Sequence, residues 1–436
     1  MPIITPEYNL YNWSDLNFPT IEPSLKLDFA NARALDPRIT FTRASTGTYV
    51  GRDGLIKTAG EDEARFDHDP TTGESLGLLI EESRTNLLPE SEDLTSGLIT
   101  KLAITTSNDT SVIAPDGTAG ATRVIQNNTT AQHLIGDTAS GLTLGGNYAL
   151  SCFVKAGTTD LVWFSVNSYL NWVNDWNFFI NLTTGNVYWG SGNISNANLK
   201  VEEYPNGWWK LSMVAQQEPA GGGAGGLWLG HADPNGTQST NFTGDGSTYF
   251  YAWGFQMEAG SFPTSYIPTS GSTVTRAADI AKITGTNFTD FYNQTESTIF
   301  VHYKLDKDNY LETPAGVDVV SFRASGNTHG YDIRVVTDTS TPVLDVHGVS
   351  NSVTQYDVSG LNLSSGFEDY LVAKAFKLND MAVSFNGGAL QTDSSLIVYE
   401  WDKLVIGLVP RRAHYKSVKY YNKRLTNAQL QSLTRQ

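Results

Sequence analysis

The sequence predicts an all-β chain made of several β-sandwich domains, and three observations carry that prediction. Of 436 residues, 40 are glycine and 11% are aromatic, a composition suited to many strands joined by tight turns. Short runs that alternate apolar and polar residues recur between clusters of Gly, Asn and Asp, at the spacing of sandwich strands. Leu27 to Leu88 holds no long helical period, and in the chain no coiled-coil heptads are present and no repeat of about 20–50 residues emerges. At about 150 residues per domain, the length fits roughly three domains.

Composition also narrows the function classes. Charged residues make up 17% of the chain and the formal net charge is −16. That balance argues against a phosphate-backbone partner and against adsorption to anionic lipid, both of which need clustered Lys and Arg. It is compatible with neutral glycans, and equally with a plain solubilising surface. The single cysteine, Cys152, rules out an internal disulfide framework, and its strand-like surroundings predict a buried, inert thiol. No run approaches about 18 apolar residues, so no membrane span is expected. No basic region followed by an apolar core opens the chain, which predicts assembly in a cytoplasm.

Residues 1–26 carry four prolines and the aromatics Tyr8, Tyr11, Trp13 and Phe18. Proline fixes φ and removes a donor, so an extended arm is predicted. Large aromatics on such an arm need burial, either against a neighbouring subunit, which makes these four the candidate anchoring residues, or against the chain itself.

Residues 27–98 form a small β unit. Asp53-Gly54, between Tyr49-Val50 and Leu55-Ile56, signals a tight hairpin. A unit this small buries too little apolar surface to be robust alone and needs a neighbour. In Asp67-His68-Asp69 the two carboxylates share a strand face while His68 points away, which favours a polar turn over a metal cluster. The runs ITFTRASTGTYVGRDGLIKTA and ARFDHDPTTGESLGLLIEESRTNLL resemble a segment recurrent in tailed-bacteriophage fibres, spikes and minor structural proteins. The resemblance implies a place in a virion and supplies no catalytic residue.

Residues 99–284 read as successive strands, among them Tyr148 to Val154, Leu161 to Val166, Trp208 to Val214 and Thr248 to Met257. LTLGGNYALSCFVKAGTTD, FINLTTGNVYWG, YPNGWWKLSMVA and the run ending in TRAADI resemble jelly-roll carbohydrate-binding modules. Eight of the ten tryptophans lie between Trp163 and Trp253. Trp208, Trp209 and Trp253, inside strands, are expected in the core. Tyr169, Trp172, Asn174, Asp175 and Trp176 occupy a stretch too polar for simple core. Flat rings beside amides and a carboxylate suit a sugar, whose CH face stacks while its hydroxyls hydrogen-bond. The alternative is a loop packed on a neighbour. Pro219 to Gly226 is glycine-rich, yet no helix follows it, so a phosphate loop is excluded and a flexible connection is expected.

Residues 285–436 form a third β block. Asn386-Gly387 carries a type I′ turn signal, and Thr426 with Gln429 fits a capping box for a short final helix. Strand order and ending are similar to concanavalin-like, laminin-G-type lectin sandwiches. Arg411, Arg412, His414 and Tyr415 make a basic turn on an acidic chain, a second glycan candidate at Arg411, His414 and Tyr415; the alternative is a solvated charged turn.

No nucleophile elbow, zinc-protease helix or Cys/His cluster is present, so no catalytic residue is assigned. With 45 Asp and Glu, some pair meets the glycosidase spacing by chance, and carboxylates alone decide nothing. Together the resemblances imply a tail fibre or spike that binds a host-surface glycan. They imply virion proteins and further copies of the chain as partners, a trimer favoured, with neither nucleic acid nor membrane insertion. No cofactor is expected beyond the structural calcium such jelly rolls often carry, whose ligands the sequence does not name. A head-decorating, collar or baseplate protein and a glycan-degrading tailspike stay open as alternatives.

Overall fold

The computed structural model describes residues 18–32, 34–166, 176–191, 199–216, 223–235, 239–305, 317–324, 329–336, 343–350, 353–362, 369–394, 396, 400–407 and 412–435. The chain is nearly all β, in antiparallel sheets that make multi-domain β-sandwiches. Two compact units are present among the described residues: the run Phe41–Asp279, and residues up to Thr40 together with Ile280–Leu305 and the described residues from 317 onward.

The first unit is a two-sheet sandwich. One sheet runs, in spatial order, Leu199–Tyr204, Trp208–Gln216, Asn147–Ala156, Tyr249–Ala259, Ala119–Gln126 and Ile104–Ile113. The other runs Asn186–Ser191, Trp176–Asn181, Leu161–Val166, Ala224–His231, Leu134–Ser140 and Thr100–Leu102. Alternation along the strands fills the space between them: Leu150, Cys152 and Val154 from one sheet meet Val162, Phe164, Leu227 and Leu229 from the other. Burial pushes the Cys152 thiol far up from its ordinary range, the inert state expected of it.

The central strand Asn147–Ala156 is buried on both faces. Its odd-numbered neighbour Phe153 points away from the main core into a second cluster with Trp208, Trp253, Tyr204, Tyr266 and Ile56. Ile56 belongs to the hairpin Gly47–Val50/Ile56–Ala59. The small β unit expected over 27–98 is therefore no separate domain from Phe41 on. It covers the outer face of the first sheet and shares the sandwich's compact unit, and the division of the chain falls at Thr40 and Asp279 instead of 98 and 284. The physical reason is the one that made the segment doubtful alone: too little core of its own. Its hairpin closes tightly at Asp53-Gly54: Gly51 N donates to Leu55 O at 2.8 Å and Gly54 N to Gly51 O at 2.9 Å, with Gly54 at φ 75°, a three-residue loop.

Ala224, Gly225 and Gly226 of the glycine-rich stretch are not loop. They pair with Ser140, Ala139 and Thr138. Glycine is required here by close approach, since a Cβ on Gly226 would lie 2.2 Å from the Asp137 carbonyl oxygen.

In the second unit one sheet runs Gln391–Asp393, Asp380–Phe385, Asp369–Lys377, Glu296–Leu305 and Ala413–Tyr421. Leu25–Asp28 adds to the last strand, Leu25 opposite Tyr420. The arm expected over 1–26 thus gives way to a strand at Leu25. The second sheet runs Ile280–Thr284, Lys403–Ile406, Val317–Arg323, His329–Val336, Val343–Ser350 and Val353–Asn362. The helix Asn427–Leu433 lays Leu430 and Leu433 on Phe300, Leu371, Ala373 and Ala382. It starts at the expected capping box, Thr426 Oγ1 accepting from Gln429 N and Gln429 Oε1 accepting from Thr426 N. Asn386 and Gly387 both have positive φ, 44° and 70°, as a type I′ turn requires.

Candidate functional site

The residues that carry the leading resemblance converge on one buried charge cluster. Arg43, Arg65, Glu81, Arg276 and Asp279 are each at most 2% exposed. Arg65 lies between the two acids, 2.7 Å from Glu81 Oε2 and also paired with Asp279 Oδ2. Arg43 reaches Asp279 Oδ1 at 3.0 Å and Arg276 reaches Glu81 Oε2 at 2.7 Å. Backbone and hydroxyl groups add further bonds: Ser265 donates twice to Glu81, and the Glu81 amide donates to Asp279 Oδ2 at 2.8 Å, while Nε of Arg65 and of Arg276 is buried without an acceptor. Burial opposes the charge on Arg65, but Glu81 and Asp279 outweigh it and hold the guanidinium protonated. With no route to solvent, this cluster fastens the leading segment to the strand that leaves the sandwich. It offers nothing to a substrate.

The aromatic stretch singled out for glycan binding lies for the most part outside the described residues: Tyr169, Trp172, Asn174 and Asp175 do, as do Arg411, Tyr8, Tyr11 and Trp13. Trp176 opens the strand Trp176–Asn181, opposite Val166. Phe18 is 46% exposed. His414 and Tyr415 correct the second glycan candidate. Both are buried in the strand Ala413–Tyr421, and the Tyr415 hydroxyl donates to Val319 O at 2.9 Å across to the facing sheet. Strand alternation turns Tyr415 inward, where no ligand reaches it. Asp67 is likewise buried and accepts from Val50 N at 2.6 Å, while Asp69 accepts from the amides of Thr71 and Thr72. Among the described residues no group of three His, Cys, Asp or Glu could hold a metal ion.

A different surface gathers aromatic side chains. On the sandwich's second sheet, the face turned away from the main core carries Leu134, Trp163, Phe179 and Ala232, with Leu161 and Trp228 packed against them. Glycines stand opposite both tryptophans: Gly136 is the register partner of Trp228, and Gly230 that of Trp163. A Cβ on Gly230 would meet Trp163 Nε1 at 2.5 Å, so each indole passes over a bare stretch of backbone. A β-bulge between Phe179 and Ile180 re-aims Tyr188, whose ring sits 5.9 Å from Phe179, edge to face. Tyr188 is 39% exposed, Trp228 is half-buried and Trp163 is buried. The indole N–H groups of Trp163 and Trp228 are buried without an acceptor, which leaves ring surface as what Trp228 can present.

Carboxylates border this face. Burial, then the nearby Asp160 and Asp233, raise the Tyr188 hydroxyl above its ordinary value. Asp160 Oδ2 accepts from Asn181 Nδ2 at 3.1 Å and from Thr183 Oγ1 at 2.9 Å. Exposed aromatic ring near the half-buried Asp160 carboxylate is an arrangement that can stack a sugar's apolar face and accept its hydroxyls. The sequence did contain its signal. Gly226, Trp228 and Gly230 alternate along one strand face, the pattern left when a large ring lies flat between residues without side chains.

No protein-family profile matches the chain, and no curated protein matches it. Among solved structures it is similar to the tandem N-terminal CBM22 domains of Xyn10C from Paenibacillus barcinonensis. That match has 10% identity and a TM-score of 0.26, and covers 77% of this chain and 97% of that chain. It is also similar to domains LG4-5 of the mouse laminin alpha1 chain, with 8% identity, a TM-score of 0.18, and 63% of this chain and 82% of that chain covered. The Trypanosoma rangeli sialidase, solved with the inhibitor DANA, matches at 9% identity and a TM-score of 0.25, covering 95% of this chain and 97% of that chain. At these scores the likenesses carry no argument about binding or chemistry.

Proposed function

We propose that this protein is a glycan-adhesive structural component of a tailed-phage virion, a tail fibre or spike that attaches to the host surface without degrading what it binds. The observation that carries the adhesive part is the sheet face with Trp228 half-buried and Tyr188 exposed beside Asp160 and Asp233. The virion part rests on the resemblance that covers most of Leu27 to Leu88. The net charge of −16 favours a neutral or weakly charged glycan over an acidic one.

The test uses the full chain and envelope polysaccharide from a bacterium the phage infects. Trp228→Ala and Tyr188→Ala should each weaken binding roughly tenfold or more, the loss expected of a central aromatic contact. Incubation with the polysaccharide should release no new reducing ends, and immunogold labelling should place the chain on the tail. Unchanged binding by both variants would defeat the adhesive reading. Released reducing ends would make the protein a depolymerase, and label confined to the head would make it a decorating protein.

A further inference from the structure

Three turns of the unit Phe41–Asp279 wall a surface cleft of about 330 Å³. They are the hairpin loop around Arg52 to Gly54, the turn Pro70 to Gly73, and the turn Pro205–Gly207 with the preceding Glu203 and Tyr204. The walls are held rigidly. Gly54 has φ 75°, and a Cβ there would lie 2.3 Å from Pro70 O and 2.4 Å from Pro205 Cγ. Gly73 has φ 68°, and its Cβ would lie 2.8 Å from Arg52 O. Asn206 and Gly207 also take positive φ, 63° and 74°. Thr71 Oγ1 donates to Glu203 O at 3.1 Å, and Lys155 Nζ donates to Asn206 O. Only glycine allows the first two turns to approach so closely, so the cleft is built before any ligand arrives.

Its chemistry is polar and balanced. Asp53 is already engaged by Lys57 at 2.8 Å. Arg52 and Glu203 line the same cleft, and among the described residues neither has an ion-pair partner. One guanidinium, one carboxylate, the Thr71 hydroxyl oxygen as an acceptor and the turn backbone offer donors and acceptors together, and Lys57 offsets Asp53. A neutral, hydroxyl-rich ring matches that set, whereas a net anion would meet Glu203 and Asp53 unfavourably. The volume stands at the low end of ligand pockets, which run from about 300 Å³ upward, so a small ligand fits and a chain of sugars does not.

We propose that this cleft is a second sugar subsite, taking one neutral hexose ring, with Arg52 donating to its hydroxyls and Glu203 accepting from them. It lies outside the aromatic sheet face and rests on the glycan-binding reading only in its ligand class.

The probes are methyl glycosides of glucose, galactose and mannose, followed by saturation-transfer NMR on the full chain. At least one should show transfer that falls at least tenfold in Arg52→Ala and in Glu203→Gln, both at exposed positions where the thermal midpoint should not move. The comparison is repeated in a Trp228→Ala background, which removes any transfer from the aromatic sheet face, and the tenfold fall should persist there. Transfer from none of the three, or transfer unchanged in both cleft variants, overturns the subsite. Transfer from sialic acid alone overturns the neutral-ligand assignment. Polysaccharide binding that depends on Trp228 while the glycosides stay silent would sink the subsite alone; glycoside transfer with no polysaccharide binding would sink the adhesive function alone.

Discussion

Gly136 and Trp228 face each other across neighbouring strands, and a Cβ on Gly136 would lie 2.3 Å from Trp228 Cε3. The indole takes up the space a side chain would occupy, so its posture on the sheet depends on a residue that contributes no atoms to it. Gly136→Ala should therefore tilt the ring and overpack the face, at a cost of about 1–3 kcal/mol. Denaturant unfolding measures the loss, and a shifted tryptophan emission reports the tilt. Wild-type stability and emission together would contradict the close approach.

The buried charge cluster gives the largest expected stability effect. Asp279→Asn leaves Arg43 and Arg65 buried with one carboxylate fewer, and should destabilise the unit Phe41–Asp279 by about 3–5 kcal/mol. A midpoint shift worth less than about 1 kcal/mol would show that these ion pairs are not what fastens the leading segment.

Asp137 predicts a pH dependence. It is buried, its Oδ2 has no hydrogen-bond partner, and burial followed by the nearby Glu90 raises its carboxyl to about 6. A carboxyl whose folded pKa lies above its unfolded value of 3.8 stabilises the fold when protonated. That contribution is complete below about pH 4, fades as pH rises toward 6, and is gone above it. Asp137→Asn should hence raise the thermal midpoint at pH 7.5, by an amount equivalent to about 3 kcal/mol at most, and change little at pH 4. An equal effect at both pH values would refute this.

Cys152 should not react with a thiol reagent in the native protein, and should react fully once the chain is unfolded. Labelling at pH 8 without denaturant would mean that the core between the two sheets opens on its own.

Features set by neighbouring residues were legible in the sequence. Alternation over Tyr148 to Val154 gave a strand, Asn386-Gly387 its type I′ turn, and Thr426 with Gln429 a helix start, because each depends on backbone preferences within a few residues. The strand content and the sandwich class followed from many such local signals added together. Tertiary structure alone decided which charges meet, since Arg43 and Asp279 are 236 residues apart and no local rule pairs them. It also decided that Tyr415 faces inward while Trp228 keeps an exposed surface. Alternation says that two faces differ, but only the packing of one sheet on another determines which face is covered. The sandwich class thus belongs to the sequence. The fastening cluster, the aromatic face and the three-turn cleft belong to long-range packing, whose partners no short window of residues contains.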